Sequence, residues 1–152
     1  MIVLDTDHLS ELEAGSVVGL RLHDQLLRSP DQVIVTTIIS VEERLRGRLA
    51  VVAGAKSRNG EVQAYEGLSR LIEFISGWTV LPYDNDARSV FVSFPPKIAR
   101  QKPMDCKIAA ITIARGALLL TRNRSDFVRI PGVRFEDWLT ETSGQQSGSS
   151  EP

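Results

Sequence analysis

The sequence has little of what would assign it at once to a familiar class of protein. Cys106 is the one cysteine, so no internal disulfide can form, which is typical of a protein kept in the reducing cytoplasm. No apolar run approaches the roughly 18 residues that a membrane-spanning helix needs. The chain reaches Asp5 without a preceding basic segment, so we expect neither a signal peptide nor a membrane association.

An excess of one charge and a nucleotide-binding loop are also missing. The chain has 18 Lys and Arg against 19 Asp and Glu, and its net charge of −1 excludes a strongly basic nucleic-acid binder. Any nucleic-acid partner must therefore be bound by a local patch. Gly15 and Gly19 lack the Lys-Ser/Thr of a P-loop, and the G-x-S-x-G motif of serine hydrolases does not occur.

What is present is the composition of one folded domain. With 152 residues, of which 42% are hydrophobic, the chain can bury a single core. We expect this domain to cover residues 1–141. Residues 142–152 are polar and rich in Gly and Ser, which predicts a flexible C-terminal tail.

Short apolar runs alternate with helical patterns along the domain. Strands are expected at Ile2–Leu4, Gln32–Ile39, Thr79–Leu81, Ala117–Thr121 and near Val133–Phe135. Helices are expected at Leu9–Leu27 (bent or divided by Gly15 and Gly19), from Ser40 in a capping box with Glu43, and at Leu49–Ala55, Gln63–Ile75, Asp84–Phe91 and Asp105–Arg115. Apolar strands joined by helices predict an α/β sandwich with a mostly parallel sheet of four or five strands.

Acidic residues are expected together at one edge of this sheet. Ligands of open parallel sheets bind at the carboxyl ends of the strands. Asp5 ends the first strand, Glu43 follows the second, Asp105 begins the helix before the fourth strand, and Asp126 lies in the loop after it. Each acid alone could be a helix cap or a first-turn residue favoured by the helix dipole. Those separate roles do not predict that all four reach the same edge.

Such a cluster of carboxylates is typical of a site that binds a hard metal ion. Like charges repel, and a cation relieves the repulsion. Carboxylate ligands without a Cys/His set favour Mg²⁺ or Mn²⁺, which can activate water against a phosphodiester. His8 and His23 lack metal-ligand spacing, and Cys106 lacks a partner set, so we interpret all three as packing or surface residues.

Basic residues stand close to these acids in the sequence. The chain has 14 Arg and 4 Lys, and the planar guanidinium group suits phosphate recognition. We expect substrate contacts from Arg46, Lys102, Arg122 and Arg124. The alternative is a solvated helix face combined with a general bias toward Arg.

Four segments resemble the motifs of one family. Leu4-Asp5-Thr6-Asp7-His8-Leu9-Ser10 resembles the opening of PIN-domain ribonucleases, specifically the VapC toxins of type II toxin–antitoxin pairs. Ser40–Gly47 is similar to their second motif, in which a Glu stands four residues before a Gly, and this register selects Glu43 over Glu42. Met104–Ala110 resembles their D-x-x-I-A-A signature, and Thr121–Phe127 resembles T-R-N-x-x-D-F.

The resemblance implies a PIN-like three-layer sandwich and an Mg²⁺-dependent endoribonuclease toxin, with Mn²⁺ able to substitute. Its implied partners are an RNA substrate, an antitoxin that holds it inactive and a second copy in a homodimer. Asp5 and Asp105 would be the principal metal ligands, with Glu43 completing the site. Either Asn123 or Asp126 would fill the fourth position, which leaves open whether one or two ions bind.

Parts of the sequence are also compatible with two other functions. Val3-Leu4-Asp5-Thr6-Asp7 also resembles the opening of haloacid-dehalogenase-type phosphatases, with Asp5 as nucleophile and Asp7 as acid/base. Leu9 departs from that motif, which also leaves Glu43 and Asp105 unexplained. The second alternative is an inactive PIN module that binds RNA or protein, against which the presence of all three acids argues.

Overall fold

Strands and helices alternate along residues 1–140, the part of the chain that this computed structural model describes. The strands are β1 (Ile2–Leu4), β2 (Ile34–Thr37), β3 (Val80–Leu81), β4 (Leu118–Leu120) and β5 (Phe135–Glu136). The helices are α1 (Thr6–Ala14), α2 (Val17–Leu27), α3 (Ile38–Gly54), α4 (Arg58–Ser76), α5 (Asn85–Ser93), α6 (Pro96–Gln101), α7 (Pro103–Ala114) and α8 (Arg124–Phe127). The tail expected at residues 142–152 lies outside the described residues.

The five strands form one parallel sheet in the order β3-β2-β1-β4-β5. The central strand is β1, in which Val3 is in register with Val35 of β2 and Leu119 of β4. The expected α/β class is confirmed, with five strands. None of the helices within residues 1–140 combines the length and the apolar composition that crossing a membrane requires.

Successive side chains of a strand point to opposite faces of the sheet, and both faces are covered by a hydrophobic core. Val3 and Leu119 belong to a core that includes Ile108 and Ala110 of α7. Leu4 belongs to a second core, shared with α1 and α2. Helices on both sides of a central sheet make the expected three-layer sandwich.

The second strand is shorter than predicted, and the helix after it begins earlier. The sequence pattern extends β2 to Ile39 and opens the helix at Ser40, but α3 begins at Ile38. Thr37 is the N-cap, since its hydroxyl accepts a hydrogen bond from the backbone N–H of Ser40 at 3.1 Å. The predicted capping box at Ser40 is therefore wrong, and Glu43 is free of a capping role.

The long helical pattern at residues 9–27 is divided into two helices. Gly15 ends α1 in the left-handed conformation, with φ of +59°. Residues other than glycine rarely adopt this conformation. Ser16 then caps α2 by accepting from the N–H of Gly19. Gly19 itself lies inside α2, where it allows close contact with the backbone of α1.

Candidate active site

Asp5 lies at the centre of the carboxyl edge of the sheet. It follows β1 as the N-cap of α1, and its side chain is 6% exposed. Its Oδ1 accepts from the backbone N–H of Thr6 and its Oδ2 from the hydroxyl of Thr121, both at 2.7 Å. Burial raises the pKa of Asp5 to about 6, and the hydrogen bonds from Thr121 and Thr6 partly oppose this rise.

Asp105 lies in the first turn of α7 and is half-buried. Burial is the main cause that raises its pKa to about 6, followed by the negative charges of Asp126 and Glu43. Lys102 acts in the opposite direction. Asp105 is therefore within electrostatic range of carboxylates on other helices.

Glu43 is carried to the same edge by α3. Its charge raises the pKa of both Asp5 and Asp105, so Glu43 is close enough to repel each of them. Its Oε2 accepts a hydrogen bond from the hydroxyl of Thr6. The acids expected from β1, β2 and the helix before β4 are thus neighbours in space.

Asp126 has a different environment from the other acids. Lys102 Nζ lies 2.9 Å from its Oδ2, and Asn123 Nδ2 donates to the same oxygen at 2.8 Å. The hydrogen bonds from Lys102 and Asn123 lower the pKa of Asp126. Asp126 is therefore a stabilised carboxylate, whose charge in turn raises the pKa of Asp105.

The chemistry of these residues suits a hard cation, although their side chains are not arranged as a complete set of metal ligands. The donors are carboxylate oxygens, and burial with mutual repulsion makes the charged forms of Asp5 and Asp105 unfavourable without a counter-ion. Within residues 1–140, no group of three or more His, Cys, Asp or Glu side chains converges closely enough to hold a metal ion. Hydrogen bonds from Thr6, Asn123 and Lys102 hold Glu43 and Asp126 in this arrangement.

The four basic residues expected to bind substrate have separate surroundings. Lys102 pairs with Asp126, as described above. Arg46 pairs with Glu42 at 2.7 Å on a side of α3 where Arg46 is 73% exposed. Arg122 lies 3.9 Å from Glu11. Arg124 is exposed in α8 and lines a pocket of about 350 Å³ with Glu136, Asp137 and Trp138.

Sequence reasoning missed the hydroxyl groups that hold the acids. Thr121 is buried and Thr6 half-buried, and each donates its hydroxyl to a site carboxylate. Both lie in motif segments, but no local pattern predicts their partners. Asp7 was also left out of the predicted nuclease site, although its charge raises the pKa of both Asp5 and Asp105.

The other candidate ligands have structural surroundings. His8 is fully buried, its Nε2 accepts from the N–H of Trp138 at 3.3 Å, and burial lowers its pKa to about 4. It is thus a neutral packing residue at ordinary pH. Cys106 is buried in the core, and His23 is a surface residue with its side chain 60% exposed.

No model of a protein family matches the chain. A segment of 69 residues is 39% identical to the tRNA(fMet)-specific endonuclease VapC of Salmonella typhimurium, covering 43% of this chain and 52% of that protein. The chain spans about half the length of the curated relatives that it matches.

Solved structures are similar over most of the chain. VapBC2 from Rickettsia felis, bound to a DNA fragment from its promoter, superimposes with a TM-score of 0.69 at 21% identity, covering 91% of this chain and 99% of that one. DNA-bound VapBC from Salmonella typhimurium gives a TM-score of 0.66 at 28% identity, covering 90% of this chain and 97% of that one. The expected PIN-like fold and the resemblance to VapC toxins are confirmed.

Proposed function

We propose that this chain, which has the fold of VapC toxins and resembles them in its acidic motifs, is a metal-dependent endoribonuclease and the toxin of a toxin–antitoxin pair. The observation that carries the proposal is the placement of Glu43 within electrostatic range of both Asp5 and Asp105, which brings acids from three separate elements to one edge. An arrangement that costs stability in the folded state is expected where it serves a site. The curated relative from Salmonella typhimurium is by its name an endonuclease specific for tRNA(fMet), which supports RNA as the substrate class.

Asp5 and Asp105 would be the principal ligands of the cation, with Glu43 completing the set. Asp126 is the better candidate for the fourth position. Asn123 is already used to support it, because the amide of Asn123 donates to Asp126 Oδ2. Bound Mg²⁺, or Mn²⁺ in its place, would supply charge neutralisation at the scissile phosphate and a lowered pKa of the attacking water.

The basic residues would act on the RNA backbone at different distances from the acids. Lys102 lies beside Asp126, so its ammonium group can neutralise the charge of a phosphate brought to the site. Arg122, 49% exposed, would hold an adjacent phosphate, and Arg46 and Arg124 would contact more distant parts of the strand.

Cleavage of RNA by the purified chain tests the proposal directly. The chain should cut single-stranded or loop RNA in the presence of Mg²⁺ or Mn²⁺, and EDTA should stop the reaction. Asp105→Asn should lower the rate at least about 100-fold, as expected when an electrostatic stabiliser of the transition state is lost. Asp31→Asn, which changes an exposed acid between α2 and β2, is the matched control and should cleave like the parent.

The same assay separates the two alternatives. A haloacid-dehalogenase-type phosphatase would hydrolyse a small phosphate ester, lose activity in Asp7→Asn and keep it in Glu43→Gln. An inactive PIN module would bind RNA tightly without cleaving it under either metal. Either result would contradict the nuclease proposal.

An antitoxin partner and a homodimer complete the proposal. The matched structures from Rickettsia felis and Salmonella typhimurium are by their titles VapBC assemblies, which supports a protein partner. Leu20 and Leu27 of α2 are 59% and 65% exposed beside a groove of about 630 Å³, and such apolar surface is typical of an interaction site. Sedimentation of the purified chain, with and without the product of a small adjacent reading frame, would measure both assemblies.

A further inference from the structure

Thr6 contacts two of the acidic side chains through different atoms. Its backbone N–H donates to Asp5 Oδ1 at 2.7 Å, and its hydroxyl donates to Glu43 Oε2. Asp5 follows β1, whereas Glu43 belongs to α3. The two hydrogen bonds of Thr6 therefore join separate elements at the acidic edge of the sheet.

Glu43 needs such a partner to stay at this edge. It is half-buried, and its flexible side chain carries a negative charge close to those of Asp5 and Asp105. Repulsion from these two carboxylates favours rotation of Glu43 away from them, toward solvent. A hydrogen bond to a charged acceptor is among the stronger ones in proteins, so the Thr6 hydroxyl opposes that rotation.

Thr6 is also connected to a polar network between α1 and α3. Ser10 Oγ donates to the carbonyl oxygen of Thr6 at 2.7 Å, and Arg44 donates to Ser10 Oγ. Arg44 also pairs with Glu13, and these two side chains are 12% and 14% exposed. An ion pair with so little exposure to solvent adds little net stability. Its more useful effect here is to fix the position of α1 relative to α3, and with it the distance from Thr6 to Glu43.

We propose that Thr6 is a positioning residue for divalent-metal binding: its hydroxyl holds Glu43 at the edge of the sheet that carries Asp5 and Asp105, where the cation would bind. This inference rests on the proposed metal-dependent nuclease function. Partners that orient a metal ligand typically contribute about 10- to 100-fold to metal affinity or activity. Thr6 acts through Glu43 and needs no contact with RNA, so it should affect kcat more than KM for RNA.

Calorimetric titration of the full chain with MnCl₂, and separately with MgCl₂, tests the inference without relying on activity. Thr6→Val replaces the hydroxyl with a methyl group of similar shape and should weaken the metal affinity about 10- to 100-fold. Thr6→Ser keeps the hydroxyl and should restore most of the affinity. Thr112→Val is the matched control, because Thr112 is a buried threonine of α7 whose hydroxyl bonds only the carbonyl of Ile108 among the described residues. It should titrate like the parent.

A double variant shows whether Thr6 acts through Glu43. In a Glu43→Ala background, Thr6→Val should weaken metal binding no further, because the hydrogen bond that it removes is already absent. If the parent binds metal and Thr6→Val binds it equally well, the positioning role is wrong while the nuclease proposal stands. If the parent itself binds neither cation, the metal-dependent function is wrong, and the inference is lost with it.

Discussion

The acidic residues of the site are held in place by hydrogen bonds despite their mutual repulsion. Thr121 and Thr6 donate to Asp5, and Thr6 also donates to Glu43. Burial and repulsion nevertheless raise the pKa of Asp5 and of Asp105 to about 6. At neutral pH without a metal, the negative charge of both groups therefore destabilises the folded state, and a bound cation would offset this effect.

The first prediction at this scale concerns the stability of the protein without metal. Asp105→Asn should raise the melting temperature in EDTA near pH 7 by the few degrees that about 1 kcal/mol represents in a domain of this size, because it removes a repelled charge. Added Mn²⁺ should stabilise the parent by mass action and shift the variant much less. Thermal denaturation measures both effects. A lower melting temperature in EDTA and equal metal shifts would show that Asp105 is only a first-turn acid of α7.

The second prediction concerns pH. The pKa of Asp105 is about 6 in the folded protein against 3.8 for the free side chain, so from about pH 4 to pH 6 the folded state binds more protons than the unfolded state. Asp105 therefore destabilises the fold increasingly as pH rises through this window, and the effect is constant above it. The difference in unfolding free energy between Asp105→Asn and the parent, measured by urea denaturation in EDTA, should grow from pH 4 to pH 6 and then level off. A difference independent of pH would contradict the assigned shift.

At the scale of secondary-structure elements, close contact at Gly19 determines how α2 packs against α1. A Cβ built on Gly19 of α2 would lie 2.0 Å from the carbonyl oxygen of Glu11 in α1. Backbone contact of this kind leaves no room for a side chain, so the turn at Gly15 and the contact at Gly19 together set the packing of α2 on α1.

A glycine pair tests this packing. Gly19→Ala should destabilise the protein by at least about 1–3 kcal/mol, the usual cost of overpacking, because the two helices must move apart. Gly47→Ala is the control within α3, where a Cβ has nothing within 4 Å. It should stabilise the protein by about 0.5–1 kcal/mol, since alanine loses less conformational freedom in a helix. Chemical denaturation of both variants gives the two values, and equal effects would refute the close contact.

At the scale of the whole molecule, the proposed activity predicts injury to the cell that makes the chain without its partner. Expression of the chain alone should arrest growth, and Asp5→Ala should relieve the arrest at the same level of soluble protein. Co-expression of the cognate antitoxin should also relieve it. Growth curves with quantified expression measure these outcomes, and harmless expression of the parent at verified soluble levels would count heavily against a toxin.

The fold class and the elements that carry the acids could be predicted from the amino-acid pattern. In apolar runs such as Ile2–Leu4, the residues on both faces of the strand are hydrophobic, which predicts a sheet buried on both sides. In a parallel sheet the residues that follow the strands share one edge, and a helix that leads back into the next strand begins at that edge. Asp5, Glu43 and Asp105 could therefore be placed together from their positions alone. Their roles as metal ligands remain a prediction.

The hydrogen bonds that hold these side chains could not be predicted in this way. Local pattern assigned Ser40 and Glu43 to a capping box, but the hydroxyl of Thr37 caps α3 and leaves Glu43 to Thr6. Likewise the sequence left Asn123 and Asp126 as alternatives, whereas the structure joins them through a hydrogen bond and adds Lys102. The physical reason is distance along the chain: Thr6 and Glu43 are 37 residues apart, and Asp5 and Thr121 are 116 apart. Such pairs meet only when the sheet forms, so neither their hydrogen bonds nor the pKa shifts that depend on them are encoded in any local pattern.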